Sequence, residues 1–477
     1  MTRIGHRREA LLPGAAAALA ALVGALAMWG FTVDDALISV RYARNLAAGH
    51  GWRFDLGGPP TDGVTPLPWP LFVAPLGRLP PLAALDVLRA AGAVAWVAAA
   101  SRVGAAIGRS VGPRGLAIGL ALTVGTSLPL AAHAVSGMET AFATLFATLA
   151  VTSTARPFRA AALAGLAATL RPELAPWACA LALGAGASAA TGDAARRAAR
   201  GALAAAVAAA PPLAVAFTRL AIFGAPYPLA LRAKPSDLAH GLAYAGAALV
   251  VAGAPLLLAA PRSIARSPRA LTITAAFVCH VAVVALVGGD WMPYARLVVP
   301  VLPGLWVVAG EVCDRAPPWM TGARAALAAA IGLTFFVRAG PAGRGVARDR
   351  AALVGIAAPA LDGASCVATL DAGWVGAAAP RARVVDLAGV TDPEIAALPG
   401  GHTSKRVDVS MLVARGVAAV VVYAPGGEAA GPVRVAELRL ASSPLFERRF
   451  TRAAFLPLGG GGGGYVLYRA RPPAAEP

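Results

Sequence analysis

LLPGAAAALAALVGALAMWG, residues 11–30, holds no charged side chain over twenty positions. At about 1.5 Å of rise per residue a helix of that length reaches about 30 Å, the thickness of a bilayer's hydrocarbon core. Arg3, Arg7 and Arg8 precede it. A secretory signal begins in the same way, but this run has full span length and many comparable runs follow. We read it as an uncleaved first membrane helix with its N-terminus in the cytoplasm. Further spans are expected near 83–101, 115–132, 139–154, 159–170, 173–190, 201–223, 238–260, 270–288, 295–310 and 322–338, giving eleven in all. The runs at 139–154 and 159–170 are short for a full crossing. Pro66–Leu79 is apolar but short and Pro-rich, which suits an interfacial or re-entrant piece.

Composition agrees. Of 477 residues 58% are hydrophobic and 14% charged, with a mean hydropathy of +0.66, against about 25% charged in an ordinary soluble protein. The net charge of +18 would suit a nucleic-acid partner, but the arginines fall in short clusters between apolar runs and no nucleic-acid motif accompanies them. Only Lys234 and Lys405 are lysines among 42 basic residues, so the high charge reflects an arginine-rich composition. Cys179, Cys279, Cys313 and Cys366 show no metal-ligand spacing and read as free thiols.

With the N-terminus inside, the cytoplasmic loops carry Arg102, Arg109 and Arg114; Arg156 and Arg159; Arg196, Arg197 and Arg200; Arg262, Arg266 and Arg269; and Arg315 and Arg324. Each is arginine-rich, as insertion biases demand. The opposite side receives Asp34, Asp35, Asp55, Asp62, Glu139, Glu173, Asp237 and Asp290. Acidic residues follow no insertion rule, so their collection on one side calls for another cause, and a catalytic face supplies it. Residues 1–340 form the membrane domain, with a first external loop at 31–82. From 341 to 477 charge returns, with short β-type runs at Cys366–Leu370, Arg383–Leu387, Ala418–Tyr423 and Tyr465–Arg469. The expected fold is a mostly α-helical, polytopic membrane protein with a C-terminal α/β domain outside the cytoplasm. Gly459–Gly464 lacks the Lys-Ser/Thr of a phosphate loop and reads as a hairpin turn.

Asp34 and Asp35 emerge directly from the first span, and a helical segment follows in which Asp35, Arg41, Tyr42 and Asn45 fall on successive turns, with Ile38 and Leu46 toward lipid or core. Glycosyl transfer to a hydroxyl needs a carboxylate to take the acceptor proton and cations to hold a departing phosphate. A bare Asp-Asp pair serves equally well as the N-cap of an interfacial helix.

The run Asp34-Asp35-Ala36-Leu37-Ile38-Ser39-Val40-Arg41-Tyr42-Ala43-Arg44-Asn45-Leu46, followed by Gly49-His50-Gly51 and Asp62-Gly63-Val64-Thr65-Pro66, resembles the membrane glycosyltransferases of the GT-C class. It is most similar to the branch containing the terminal arabinofuranosyltransferase of mycobacterial cell-wall arabinan. Ser136-Gly137-Met138-Glu139-Thr140, Arg171-Pro172-Glu173, Phe223-Gly224-Ala225-Pro226-Tyr227-Pro228 with Lys234, and Gly288-Gly289-Asp290-Trp291-Met292-Pro293 with Arg296 agree in order. So do Asp371-Ala372-Gly373, Asp386 through Asp392, and Gly401-His402 with Lys405-Arg406-Val407-Asp408. The resemblance implies an external site facing the membrane, a polyprenyl-phosphate sugar donor and a first-loop catalytic Asp. Asp34 matches the leading position of the acidic pair and is the implied base, with Asp35 second. Asp62-Gly63-Val64-Thr65-Pro66 stands where the family has Glu-Gly-Tyr-Thr-Asn, and Pro228-Leu229 where it has Pro-Asn, which leaves sugar and acceptor open.

The implied reaction is an inverting transfer to a glycan or lipid acceptor outside a bacterial cytoplasmic (inner) membrane. Lys234 and Arg296 would hold the leaving phosphate; Arg41, Tyr42, Glu139, Arg171, Glu173 and Asp290 would shape the pocket. Arg171 with Glu173 could instead simply fix a tight turn, Arg296 could pair with Asp290, and Glu139 could complement a helix dipole. Lys234 could snorkel at the interface, and Lys405 is expected at the surface. His133 and His402 read as ordinary hydrogen-bonded histidines. Asp34 and Asp35 with Glu139 could hold a divalent metal, though no ligand spacing argues for one. One competing function is a non-enzymatic membrane scaffold with an external interaction domain, which would leave the one-sided acidic residues unexplained; the other is a transporter or flippase for a lipid-linked sugar. Transporters place ionisable groups near the midplane or in repeated halves, and neither pattern occurs here.

Overall fold

The structure, a computed structural model, describes residues 3–251, 260–313, 316–459 and 463–472. Arg315, residues 252–259 of the expected 238–260 span, and the side chains of Arg3, Arg7 and Arg8 lie outside the described residues. Five helices are long and apolar enough to cross a membrane: Ala10–Ala27 within the helix Arg3–Ala27, Pro81–Ser110, Ala194–Phe223, Pro268–Leu286 and Pro318–Arg338. A sixth is reached if Arg114–Thr126 and Leu128–Ala134, bent by 61° at their junction, count as one span. The other five expected spans are also helical where described, but shorter: Thr140–Thr152, Pro157–Leu170, Ala175–Ser188, Leu238–Val251 and Pro303–Cys313. Thr140–Thr152, Pro157–Leu170 and Ala175–Ser188, at 14 residues or fewer, each reach about 20 Å; Leu238–Val251 and Pro303–Cys313 end where the described residues end.

The chain divides into two compact units. The first comprises Met1–Thr32, Val87–Ala216 and Ser236–Arg344; the second comprises Val33–Asp86, Phe217–Pro235 and Gly345–Pro477. Residues 33–82 of the expected external loop therefore belong with the C-terminal residues.

In the first unit the small side chains point inward. Ala17, Ala21 and Ala25 are 0% exposed, whereas Leu19, Val23 and Leu26 on the same helix are 58–62% exposed. Water would drive the opposite arrangement; hydrocarbon does not, and small inward residues let helix backbones approach closely. Two glycines show how closely. A Cβ added at Gly104 would lie 2.2 Å from the Pro13 carbonyl oxygen, and one at Gly125 would lie 2.4 Å from that of Ala20. The chain is a helical membrane protein in its packing as well as in its composition.

The second unit is built on five strands: β1 (Cys366–Thr369), β2 (Arg383–Asp386), β3 (Ala419–Ala424), β4 (Phe450–Pro457) and β5 (Gly464–Ala470). Their order is β2-β1-β3-β5-β4. β1 runs parallel to both β2 and β3, with Val367 beside Val384 and Ala419, while β5 runs antiparallel to β3 and β4. Both faces are covered. Ala368, Val420, Val422 and Val466 enter one apolar cluster, and Val367, Ala419, Val421 and Leu467 enter another. Continuous apolar runs are what a doubly covered parallel sheet requires, which is why β1 and β3 are legible in the sequence.

β4 is the element the sequence did not reveal. It is an edge strand, exposed at Thr451, Arg452 and Ala453 and irregular between Arg452 and Ala454, so no clean alternation marks it. The Gly459–Gly464 run joins β4 to β5, and Leu458 N donates to Gly463 O at 2.9 Å; residues 460–462 lie outside the described residues. The helix Asp34–Ala47 packs along the helix Ala372–Ala378 and the Trp69–Leu76 segment. Gly373 and Gly376 permit this. A Cβ at Gly373 would lie 2.2 Å from the Asp34 carbonyl oxygen, and one at Gly376 would lie 3.0 Å from Arg41 Nη1.

Candidate functional site

The chain leaves β1 for β2 on one side and returns to β3 on the other, so the crevice beyond the carboxyl ends of β1 and β3 is a topological switch point. Open α/β sheets place ligands there. Asp371 lies two residues beyond the end of β1, in that crevice. Its Oδ2 accepts from Arg434 Nη1 and from Tyr465 Oη, each at 2.8 Å. Arg350 donates to the same tyrosine hydroxyl, and Glu437 Oε1 accepts from Tyr423 N of β3 at 3.2 Å.

Asp34 reaches this cluster from the first loop. Asp371 is the N-cap residue of Ala372–Ala378, yet its side chain caps nothing; it is spent on Arg434 and Tyr465. The Asp34 carboxylate takes over that role, Oδ2 accepting from Gly373 N at 2.9 Å and Oδ1 from Trp374 N at 2.7 Å. Asp34 and Asp371 are both half-buried. Burial first, and then the charge of Asp371, push the Asp34 carboxyl up to about 8 despite those two hydrogen bonds. Burial acts on Asp371 too, but Arg434 and Arg350 outweigh it and hold Asp371 below the usual carboxylate range. Burial raises Glu437 to about 7, with Arg434 opposing. The result is two neighbouring carboxylates of opposite proton affinity, set among two guanidiniums and a phenol, an arrangement able to accept a proton on Asp34 and to hold negative charge nearby.

The remaining first-loop residues are structural in their contacts. The Asp34–Ala47 helix has Val33 as its N-cap with no side-chain bond, so neither aspartate caps it; Asp34 and Asp35 occupy its first turn. Ile38 is buried and Leu46 half-buried. Arg41 donates Nε to Phe54 O, Nη1 to Gly376 O, and Nη2 to Asp55 Oδ1 and Ala382 O, at 2.7–3.1 Å. Asp55 also accepts from Val384 N and so satisfies the outer edge of β2. The Tyr42 hydroxyl, buried, meets Thr61 Oγ1 at 2.5 Å and accepts from Gly63 N at 3.1 Å. Asp62 forms a buried pair with Arg219 at 2.7 Å. Lys234 ends the short helix Leu229–Ala233, half-buried, and forms no ion pair among the described residues. Lys405 corrects its expected surface position. It is 2% exposed and its Nζ donates to Ala396 O and Leu398 O, both at 2.9 Å, closing the end of the helix Pro393–Ala396.

The other five expected residues fall in the first unit, where they form a cluster of their own. Arg171, 2% exposed, bonds Glu139 Oε1 at 2.9 Å through Nη1 and Glu173 Oε1 at 2.7 Å through Nε. Asp290 lies near enough to act on the Arg171 charge, and its Oδ2 accepts from Arg296 Nε at 2.7 Å. His133 packs beside them, its Nε2 meeting Pro293 O at 3.1 Å. Tyr294 and Ala295 in the same loop have φ of 62° and 53°, a left-handed backbone that side-chain-bearing residues adopt only where their surroundings impose it.

Arg350, Arg434, Glu437 and Tyr465 of the Asp371 cluster escaped the sequence reading, as did Arg219. Asp371 had a signal, its place at the carboxyl end of a β-type run. Arg219 had one too, as a charge inside an apolar run. The four cysteines are free. Among the described residues no group of three or more His, Cys, Asp or Glu side chains is placed to hold a metal. Comparisons with protein-family models, curated proteins and solved structures find no match.

Proposed function

We propose that this protein is a membrane glycosyltransferase that moves a sugar, with inversion, from a polyprenyl-phosphate donor to a glycan or lipid acceptor outside the bacterial cytoplasmic membrane. In this reading the chain crosses eleven times, its N-terminus is cytoplasmic and the sheet-bearing unit is external. Asp34 takes the acceptor proton. The observation that carries the reading is the Asp34–Asp371 pair at the switch point of the sheet. Asp34 is fixed by two backbone N–H groups and has the raised proton affinity that general-base catalysis on a hydroxyl uses. The resemblance of the first loop to the GT-C class supplies the reaction type.

Transfer from a panel of polyprenyl-phosphate sugars, measured on protein purified into lipid, tests this. Wild type should release polyprenyl phosphate, and folded Asp34→Asn should lose at least a hundredfold in rate, the lower end of what a positioned base contributes. The wild-type rate should climb with pH through about 8. Asp371→Asn, which removes the neighbouring negative charge, should move that limb to lower pH. Equal turnover by wild type and Asp34→Asn would remove Asp34 from the chemistry.

A further inference from the structure

A cavity of about 440 Å³ opens farther along the same helix pair, within the second unit. Asp34, Leu37, Arg41 and Arg44 share one face of their helix, spaced three and four residues apart. The opposing segment follows in step: Gly373 and Trp374 meet Asp34, Gly376 meets Arg41, and Ala377, Pro380 and Arg381 line the cavity with Arg44. Ten residues of helix separate Asp34 from Arg44, about 15 Å along the axis.

The cavity is basic, and its basic groups differ in kind. The charge of Arg41 is answered by Asp55 at 2.7 Å and its N–H groups go mostly to backbone carbonyls. The Asn45 amide likewise donates to Arg53 O and Phe54 O. Arg44, half-buried, and Arg381, exposed, neither donate a side-chain hydrogen bond nor enter an ion pair among the described residues. His50 joins them in the lining, and no lining residue is acidic. The rest of the wall is largely apolar and includes Val40, Leu56 and Pro81. Pro81 is the first residue of a 30-residue helix apolar enough to cross a membrane.

We propose that this cavity binds a phosphate group, carried on a lipid, with Arg44 and Arg381 as its ligands. Two uncommitted guanidiniums lining one cavity suit the recognition of a phosphate. The apolar wall and the span that begins at the rim favour a phosphate attached to acyl or prenyl chains over a free one. Neither Asp34 nor the Gly373 and Trp374 amides that hold it line the cavity, and the Arg44 backbone lies about 15 Å from that of Asp34 along the helix axis. Binding in the cavity can therefore be measured apart from the transfer chemistry.

Calorimetric titration of the full chain in a neutral detergent, with dihexanoyl phosphatidic acid and separately with inorganic phosphate, tests it without any turnover. Wild type should bind the phosphatidic acid at least tenfold more tightly than Arg44→Ala/Arg381→Ala does. Arg406→Ala, which deletes an exposed positive charge elsewhere in the unit, should bind within twofold of wild type. Equal affinity for inorganic phosphate and phosphatidic acid would overturn the lipid source and keep the phosphate. Unchanged binding by the double variant, or an equal loss in Arg406→Ala, would overturn the site. Should the double variant misfold, Arg381→Ala alone removes only an exposed side chain and must still weaken binding.

Discussion

In the Arg3–Ala27 helix the buried positions are alanines, glycines and Pro13, and the leucines face outward; in the five-stranded sheet valines and leucines are buried on both faces, beside smaller residues such as Ala368 and Ala419. Both regions are rich in apolar residues, yet they sort them in opposite directions. The solvent accounts for it. Against hydrocarbon a leucine gains nothing by turning inward, so contact between backbones decides the packing. Against water the gain from burying apolar area decides it.

The contrast can be broken most sharply at Gly125. Gly125→Leu would drive a side chain into the Ala20 carbonyl, where even a Cβ would sit at 2.4 Å. No monodisperse protein should elute on size exclusion in detergent, and a normal profile would show that the close helix contact is dispensable. Next comes the buried cation of the first unit. Arg171→Gln leaves Glu139, 0% exposed, without its partner, at a cost of about 3–5 kcal/mol. Thermal melting should show the loss, and adding Glu139→Gln should recover part of it. No recovery would mean that the stranded carboxylate is not its cause.

A third test sets the two solvents side by side. Leu412→Ala, at a 0% exposed position in the second unit, should cost about 2–5 kcal/mol. Leu19→Ala in the first unit should cost under about 0.5 kcal/mol. Comparable losses in denaturant titrations would undo the reading of Leu19 as facing lipid.

The smallest effect is a slope with pH. The folded state keeps the Asp34 proton up to about pH 8, whereas an unperturbed carboxyl releases it near 3.8. Glu437 behaves alike up to about 7. At these two groups the folded chain holds more protons than the unfolded one across this window, so their contribution to stability falls as pH rises through it. Asp34→Asn should flatten the upper part of the decline in melting temperature. An unchanged slope would mean that Asp34 ionises normally in the fold.

Helices within each expected span and four of the five strands were legible because periodicity and run length are local properties. β4 was not, since an irregular edge strand with Arg452 exposed has no clean pattern to read. Asp34 stood out by its place after the first span. Arg434 and Tyr465 gave no local sign of their role; they matter only because the fold brings them to Asp371. Lys405 misled for a related reason. Lysine is usually exposed, and nothing in its neighbours announces the carbonyls of Ala396 and Leu398 that take up its ammonium.

The sequence by itself determined that this is a helical membrane protein with a small α/β region near its C-terminus, since solvent preference and backbone periodicity are written residue by residue. Only the tertiary structure decided that the first loop belongs with that region, that Asp34 caps a helix more than 330 positions away, and that Asp371 stands beside it. Contacts of that range depend on how the chain closes, through Gly373 and Gly376 here, and no local pattern records them.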